Sequence, residues 1–348
     1  MTDQLSEGAE RLFAQYVTKD VIRAAGEGTF PHALWSAVTE AGFTAALLPE
    51  EAGGFGTSTV EAMGLLRIAA AHAAPIPLAE TMLAGWMLAR AGLPVPEGVL
   101  TVAPVRLADC VSLQRASEGW QVSGTATRVP WARDAAAIVV LADRPDGPAV
   151  ACVPAANVTA RDVNLAGEPR DTVAFDLTLP AGAVVPAGFD MAELRMAGAA
   201  LRTVQIAGAL SRALGISVDY AQTRVQFGRP ISKFQAIQHN LAIMAGQSAA
   251  AIAAADMAAD ALANGLTPLV VGAAKARAGE AASIAAGIAH QSHGAIGFTQ
   301  EYQLHHVTRR LWSWRDEFGN EAEWNAVVGR IALQAGPDRL WPALTEAA

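Results

Sequence analysis

The sequence of 348 residues is poor in charge: charged side chains make up only 17% of it, against 52% hydrophobic residues. No run is rich in lysine and arginine, and the net charge is −8, so a nucleic-acid partner is not expected. We find no apolar stretch of about 18 residues free of polar side chains, so a membrane span is not expected either. The two cysteines, Cys110 and Cys152, form neither a zinc motif nor a disulfide framework.

The first residues, "MTDQLSEGAERLF", are acidic and polar and do not have the pattern of a signal peptide. Together with the two isolated cysteines, this predicts a cytoplasmic protein. The low share of charge and the high share of apolar residues are typical of a well-buried, oligomeric protein.

Changes in composition and periodicity along the sequence divide the chain into three predicted domains. Residues 1–95 are rich in alanine with helical spacing, interrupted by the turn "LPEEAGGFG". Residues 96–187 contain β-branched runs separated by glycine, proline and aspartate, which predict a small antiparallel β-domain. Residues 188–348 are rich in alanine and carry apolar side chains at spacings of three and four, which predict a C-terminal four-helix bundle with closely packed helices. The segment "ANGLTP" at residues 263–268 predicts a break between two of these helices, with Asn264-Gly265 as the breaker. The expected fold class is therefore mainly α with a central β-domain.

Three motifs stand out, and the first is "TRVQFGRPISKFQAIQHNLA" at Thr223–Ala242. The second is "HQSHGAIGFTQEYQLHHVTRR" at residues 290–310, and the third is the turn "LPEEAGGFG". In their order along the chain, with the turn at residues 48–56 coming first, the three motifs resemble the acyl-CoA dehydrogenase family, although Ala295 replaces a glycine of that family's second motif. In the first motif the likeness rests on Arg224, Gln226, Phe227, Gly228, Pro230, Ile231, Phe234 and Gln235.

The resemblance implies FAD as the cofactor, held mostly by a neighbouring subunit. An arginine offers a forked, permanently charged donor set for pyrophosphate oxygens, a glycine admits close backbone approach, and a phenylalanine offers a flat apolar surface. The implied contacts to the adenosine and pyrophosphate side are Arg224, Gln226, Phe227, Gly228, Ile231, Phe234 and Gln235, with Gln291, Gly294 and Gly297 from the second motif. Without the resemblance, the first motif is also compatible with a helix–helix corner capped by a glycine.

Two other patterns in the second motif are not expected to bind ligands of their own. His290 and His293 have the spacing of some metal sites, but no carboxylate or cysteine flanks them closely, so no metal is predicted. The "GAIG" segment lacks the preceding strand that a dinucleotide-binding fingerprint requires.

The catalytic base of the family has no obvious counterpart here. The family's reaction is α,β-dehydrogenation of an acyl-CoA thioester, in which a carboxylate removes the α-proton. When Gly319 is matched to the family's glycine, Phe318 occupies the position of the catalytic glutamate. Some members carry the glutamate before an arginine of an earlier helix, and here that pair is Leu201–Arg202, again without a carboxylate.

Two carboxylates nevertheless lie beside the expected position, Glu317 and Asp316. We take them as the candidate bases, because a turn can re-aim a side chain by one residue. The alternative is a surface cluster of charges in which they pair with Arg315 or Arg310. Three nearby tryptophans, at positions 312, 314 and 324, would be able to form a dry wall beside a carboxylate.

The β-domain departs from the family as well. Its Thr/Ser-rich flavin loop has no counterpart in "VLTVAPVRLADCVSL", and Arg128, Val129 and Pro130 replace the usual Trp-Ile-Thr. Proline has neither a side-chain hydroxyl nor a backbone N–H. The residues that would hold the flavin ring in this chain, its flavin-side half-site, are thus largely missing. The residues that would contact the cofactor of a neighbouring subunit, its adenosine-side half-site, are kept.

Three interpretations remain open at this stage. In the first, the chain is one subunit of a heteromeric acyl-CoA dehydrogenase and contributes adenosine-side contacts to the FAD of a homologous partner. In the second, it is a self-sufficient homo-oligomer, a dimer or tetramer, that uses Glu317 or Asp316. In the third, it is a scaffold on the same fold without flavin. The resemblance further implies an acyl-CoA substrate and an electron-transfer flavoprotein or similar acceptor.

Overall fold

The computed structural model describes residues 2–154 and 157–346, and 58% of the structure is helical. It contains two compact units. One comprises Met1–Ile22, Met63–Ala74 and Ala199–Ala348, and the other comprises Arg23–Ala62 and Pro75–Gly198. The predicted mixture of helices around a small β-region is confirmed, whereas the three domain boundaries expected from the sequence remain a prediction.

The helices begin and end as follows: α1 Thr2–Tyr16, α2 Lys19–Gly26, α3 His32–Glu40, α4 Thr59–Ala71, α5 Leu78–Arg90, α6 Met191–Thr223, α7 Gln235–Asn264, α8 Pro268–His293, α9 Leu304–Trp314, α10 Glu321–Ala335 and α11 Pro337–Glu346. The strands are β1 Leu100–Ala103, β2 Cys110–Ala116, β3 Gly119–Pro130, β4 Ala137–Ala142, β5 Ala149–Pro154, β6 Asn157–Ala160, β7 Arg170–Leu179, β8 Val184–Pro186, β9 Val225–Gln226 and β10 Arg229–Pro230. The turn predicted from "LPEEAGGFG" holds a short 3₁₀ segment, Glu50–Ala52.

The helical unit is built around α7 and α8, which pack along each other. Gly265 ends α7, and Thr267 begins α8 by accepting a hydrogen bond from the Val270 backbone N–H, with Pro268 at the first helical position. The sequence predicted this break. Small side chains line the buried face of α8, and α9 and α10 pack against it.

Close helix approach depends on glycine at one position in particular. A Cβ at Gly208 of α6 would lie 2.1 Å from the carbonyl oxygen of Arg67 in α4. The backbones of α6 and α4 therefore touch at this position.

The other unit contains two four-stranded sheets, ordered β1-β4-β5-β8 and β2-β3-β7-β6. Side chains from both sheets form one apolar core that includes Val122, Val140 and Phe175. All pairings within these sheets are antiparallel except that of β1 with β4, which is parallel. The antiparallel prediction therefore holds for this unit apart from one edge strand.

One helix among the described residues, α7, passes a test of length and composition for crossing a membrane, with a mean hydropathy of 1.4. One-third of its apolar window is buried in the structure. A single such helix is weak evidence for a membrane span, because core helices of soluble proteins share these properties. This finding limits the expectation from the sequence that no stretch of the chain is apolar enough to span a membrane.

Candidate functional site

The first motif forms a tight β-hairpin after α6. Strands β9 and β10 pair antiparallel, with Gln226 opposite Arg229. Phe227 and Gly228 connect them, and both have positive φ, 52° and 78°. Two consecutive residues of positive φ define the primed turn that two-residue hairpins prefer, and Gly228 adopts it without strain.

The base of the hairpin is fixed to the helices. The backbone N–H of Arg224 donates to the carbonyl of Tyr220, and the N–H of Ile231 donates to the carbonyl of Arg224, both at 2.8 Å. Ile231 is buried beneath the hairpin. Its side chain therefore anchors the hairpin, whereas Phe234, which follows in the chain, is half-buried.

The tip of the hairpin is exposed and apolar. Phe227 has 91% of its surface exposed, and its ring meets that of Phe234 edge-on at 6.1 Å. The guanidinium of Arg229 lies 4.3 Å from the centroid of the Phe234 ring. Arg224, Gln226 and Gln235 are also exposed. An exposed aromatic ring among cations and amides has the chemistry to bind a flat, anionic ligand.

The second motif forms the end of α8 and a 3₁₀ turn, Gly294–Phe298. Gly297 is packed tightly, because a Cβ there would lie 3.2 Å from Nδ1 of His290. The ring of His290 stacks on Phe298 at 4.0 Å and on Trp312 at 5.4 Å. Trp312 therefore belongs to this stack. Gln291 and Gly294, which the resemblance also assigned to the cofactor, are exposed.

A ring contact joins the two motifs. Tyr220, one helical turn before Arg224, stacks on His293 with centroids 4.4 Å apart. His293 Nε2 is 3.2 Å from the hydroxyl of Tyr302, and burial lowers the pKa of His293, which favours the neutral imidazole. Sequence reasoning missed Tyr220, although its spacing of four from Arg224 was a usable signal.

The candidate base lies in the turn between α9 and α10. An Oε2 of Glu317 accepts a hydrogen bond of 2.8 Å from Nε of Arg202, and the two side chains are 15% and 2% exposed. Arg202 also donates to Gln205. The ring of Phe318 is buried, 5.8 Å from the Arg202 guanidinium. The carboxylate is thus directed toward Arg202.

The two predicted carboxylates separate in the structure. The side chain of Asp316 is 66% exposed and lies 3.7 Å from Arg315, although partial burial still raises the pKa of its carboxyl group. Asp316 thus lies in a surface charge cluster with Arg315, as in the alternative interpretation, whereas Glu317 pairs with Arg202. Among the three tryptophans of the expected wall, Trp324 reaches the turn and donates to the carbonyl of Phe318 at 3.0 Å.

The segment Arg128–Pro130 ends β3 in the other unit. Arg128 has a φ of 56° at a bulge, and its guanidinium lies 3.7 Å from Asp162. The carbonyl of Pro130 accepts a hydrogen bond from the hydroxyl of Thr101 at 2.6 Å. Just before them, the carboxylate of Asp109 accepts from the N–H and hydroxyl of Thr127. Pro130 itself has no N–H to donate.

The residues present fit FAD in part. A flavin ring presents acceptor oxygens and nitrogens that require donors, and the segment Arg128–Pro130 does not supply the hydroxyl and N–H of the family motif. An adenosine pyrophosphate requires cations and a flat apolar surface, which the hairpin with Arg224 and Phe227 presents outward. The chain therefore fits the adenosine end of the cofactor and not its flavin end.

Comparison with known proteins identifies the family. Residues 2–94 match the acyl-CoA dehydrogenase N-terminal domain and residues 187–321 match the C-terminal domain. The chain is 30% identical to the acyl-CoA dehydrogenase IpdE2 of Mycobacterium tuberculosis, over 88% of this chain and 89% of that protein. The two family domains and this relative cover most of the sequence.

Solved structures with the same architecture cover nearly all of the chain. A variant of the Tcur3481–Tcur3483 steroid ACAD superposes with a TM-score of 0.86 at 27% identity, over 97% of this chain and 99% of that one. The ChsE4–ChsE5 complex from Mycobacterium tuberculosis superposes with a TM-score of 0.84 at 24% identity, over 97% and 98% of the two chains, which shows the shared fold. The chain therefore belongs to the acyl-CoA dehydrogenase family, whose enzymes are FAD-dependent oxidoreductases of lipid metabolism.

Proposed function

We propose that this chain is one subunit of a heteromeric acyl-CoA dehydrogenase and that it contributes adenosine-side contacts to FAD held mainly by a homologous partner subunit. The observation that carries the proposal is the contrast between two half-sites. The hairpin presents Arg224 and an almost fully exposed Phe227 outward, while Pro130 and its neighbours depart from the flavin-side pattern.

The exposure of the Phe227 ring has an energetic cost. A phenylalanine side chain left in water forgoes about 1.5–3 kcal/mol of burial free energy. This free energy is gained when a partner or a ligand covers the ring at the tip of the hairpin. In this proposal Phe227 contacts the adenosine end, and Arg224 binds the pyrophosphate through charge-assisted hydrogen bonds.

The reaction that we propose for the assembly is α,β-dehydrogenation of an acyl-CoA. A carboxylate takes the α-proton, the new C=C bond forms, and the β-hydride leaves with its electron pair. FAD, when bound, accepts that hydride. In this chain Arg202 engages the carboxylate of Glu317, so proton abstraction by Glu317 would require that the ion pair be broken or shared. We therefore assign the base to the partner subunit.

A second candidate function keeps the base in this chain. Glu317 is only 15% exposed and lies beside the buried ring of Phe318, so it is largely shielded from water, as a general base of this family needs to be. In that case the chain is a self-sufficient homo-oligomer. The two functions differ in whether the chain alone turns over an acyl-CoA.

Further details of the proposal follow from the relatives. The description of Tcur3481–Tcur3483 names two chains and a steroid ACAD, and this supports a heteromer that acts on a bulky acyl-CoA. We propose a cytoplasmic location and reoxidation by an electron-transfer flavoprotein or a similar acceptor, as the family resemblance implies.

The test is co-expression of this chain with the products of neighbouring genes, followed by purification through a tag on this chain. We expect an acyl-CoA dehydrogenase-like partner to co-purify with flavin, and the chain alone to lack turnover. A chain that alone retains stoichiometric flavin and bleaches it with acyl-CoA would support the second candidate. Absence of flavin from the chain and from every complex would favour a scaffold.

A further inference from the structure

A buried lysine lies beneath the turn that carries Glu317. Lys275 is in the middle of α8 and is 1% exposed. Its ammonium donates to the carbonyl of Arg315 at 2.5 Å and to the carbonyl of Gly319 at 2.8 Å. These two carbonyls flank the turn, so a single side chain ties both of its ends to α8.

The turn needs such support because its backbone is unusual. Phe318 has a φ of 55° and Gly319 a φ of 100°. A bulky residue in the left-handed region is costly and persists only where the surroundings hold it. Buried carbonyls also need donors, and the carbonyls of Arg315 and Gly319 lie between α9 and α10, outside the regular hydrogen bonding of both helices. Lys275 supplies donors at both ends of the strained segment.

Other contacts hold the same turn from α10. The indole of Trp324 donates to the carbonyl of Phe318, and Arg315 forms two hydrogen bonds, of 3.0 and 2.8 Å, to Glu321. Gly279, one turn after Lys275, leaves room for Glu321, because a Cβ there would lie 2.3 Å from its carboxylate. The turn is thus held from two helices, and its carboxylate Glu317 is directed to Arg202.

We propose that Lys275 is a positioning residue that fixes the turn through these two carbonyls and thereby holds Glu317 against Arg202. The contacts of Lys275 with the turn do not depend on the proposed function. The relevance of this placement to acyl-CoA chemistry does rest on the proposed function, because it assumes that Glu317 lies next to the position of the family's base.

Several charged side chains act electrostatically on Lys275. They are Glu321 on α10, Asp316 and Glu317 in the turn, and Arg202 on α6. Burial lowers the pKa of Lys275 to about 7. A neutral amine still has two N–H groups, enough for the two carbonyls, so the hydrogen bonds do not depend on the charge.

The test compares Lys275→Met with Arg277→Met in the full chain by hydrogen exchange. Met fills the space of the lysine stem without donors, and Arg277 is a partly exposed residue of the same helix that pairs with Glu280. We expect the amides of residues 315–320 to exchange at least about tenfold faster in Lys275→Met and to be unchanged in Arg277→Met. Unchanged protection of residues 315–320 in Lys275→Met would overturn the proposal.

A double-mutant cycle separates positioning from general destabilisation. We expect Glu317→Gln to reduce the stability of the wild type clearly, and to reduce that of Lys275→Met by less than half as much, because the pair is already displaced. Additive effects would contradict positioning. If Lys275→Met does not fold, Lys275→Gln takes its place, since its amide nitrogen is one bond closer to the backbone and cannot reach both carbonyls.

These outcomes are independent of the test of the proposed function. Flavin content of the purified complex reports on the hairpin, while exchange of residues 315–320 reports on the turn. If the chain carries no flavin in any complex, the proposed function fails and the exchange result still decides the role of Lys275.

Discussion

Arg202 and Glu317, 115 positions apart in the sequence, meet in a buried hydrogen-bonded ion pair of 2.8 Å. The family resemblance places the catalytic carboxylate one residue after Glu317. Here Phe318 stands at the position matched to the base, and the nearest carboxylate is engaged by a guanidinium. This relationship favours a helper subunit over a self-sufficient enzyme.

The first prediction concerns the hairpin. Arg224→Ala should remove a charge-assisted hydrogen bond worth ~1.5–3 kcal/mol and lower flavin retention of the complex about tenfold or more. Flavin absorbance per protein after gel filtration measures this. Arg11→Ala, which removes an arginine paired with Glu7 on the exposed face of α1, is the control and should retain its flavin. Equal flavin content in the two variants would refute the assignment of Arg224.

The second prediction concerns Glu317. In the complex, Glu317→Gln should change the rate of acyl-CoA-dependent flavin bleaching less than about threefold, whereas loss of a general base costs ~10²–10⁴ in rate. Removing the charge beside buried Arg202 should lower the free energy of unfolding by roughly 1–3 kcal/mol. Glu280→Gln, at an exposed ion pair, is the control for both measurements. A rate loss of about a hundredfold or more would place the base in this chain.

The third prediction concerns assembly. The face of α7 that the chain leaves exposed includes Ile243 and Met257, which are 50% and 45% exposed, among alanines. An apolar face of this kind indicates an interface. We expect light scattering at micromolar concentration to show a species larger than the 36.0 kDa monomer. A monodisperse 36.0 kDa particle, alone and with its partner, would be incompatible with this expectation.

The fourth prediction follows from burial of Lys275, which lowers its pKa from the ordinary 10.5 to about 7. Between these values the unfolded chain binds more protons than the folded chain, so folded-state stability rises with pH. We expect the free energy of unfolding of the wild type, minus that of Lys275→Met, to increase from pH 7 to about pH 9, by at most about 1.4 kcal/mol per unit. Denaturant titrations at several pH values measure it. A difference that stays flat or falls would show that Lys275 keeps its ordinary pKa.

The hairpin shows what sequence could predict. Arg224 through Gln235 form a local motif, and residues close in sequence determine its turn, through Phe227 and Gly228. The break at Gly265 between α7 and α8 was visible for the same reason. Turns and helix ends of this kind are determined by consecutive residues, so the sequence alone can predict them.

The turn of Glu317 shows what sequence could not predict. Its partners Arg202 and Lys275 lie 115 and about 40 positions away, and nothing in an alanine-rich helix marks one lysine as buried. The direction of Glu317 also depends on the positive φ of Phe318, a conformation that sequence rules assign to glycine and asparagine. Asp316 and Glu317 were therefore equivalent candidates until the structure separated them.

We propose that this chain contributes contacts to the FAD of a partner subunit. The decisive measurement is the amount of flavin in the purified complex, determined by absorbance against the measured amount of each chain. We expect one FAD for each pair of this chain and its partner, and no flavin on this chain when it is expressed alone. One FAD on every copy of this chain in isolation, together with turnover that Glu317→Gln abolishes, would contradict it.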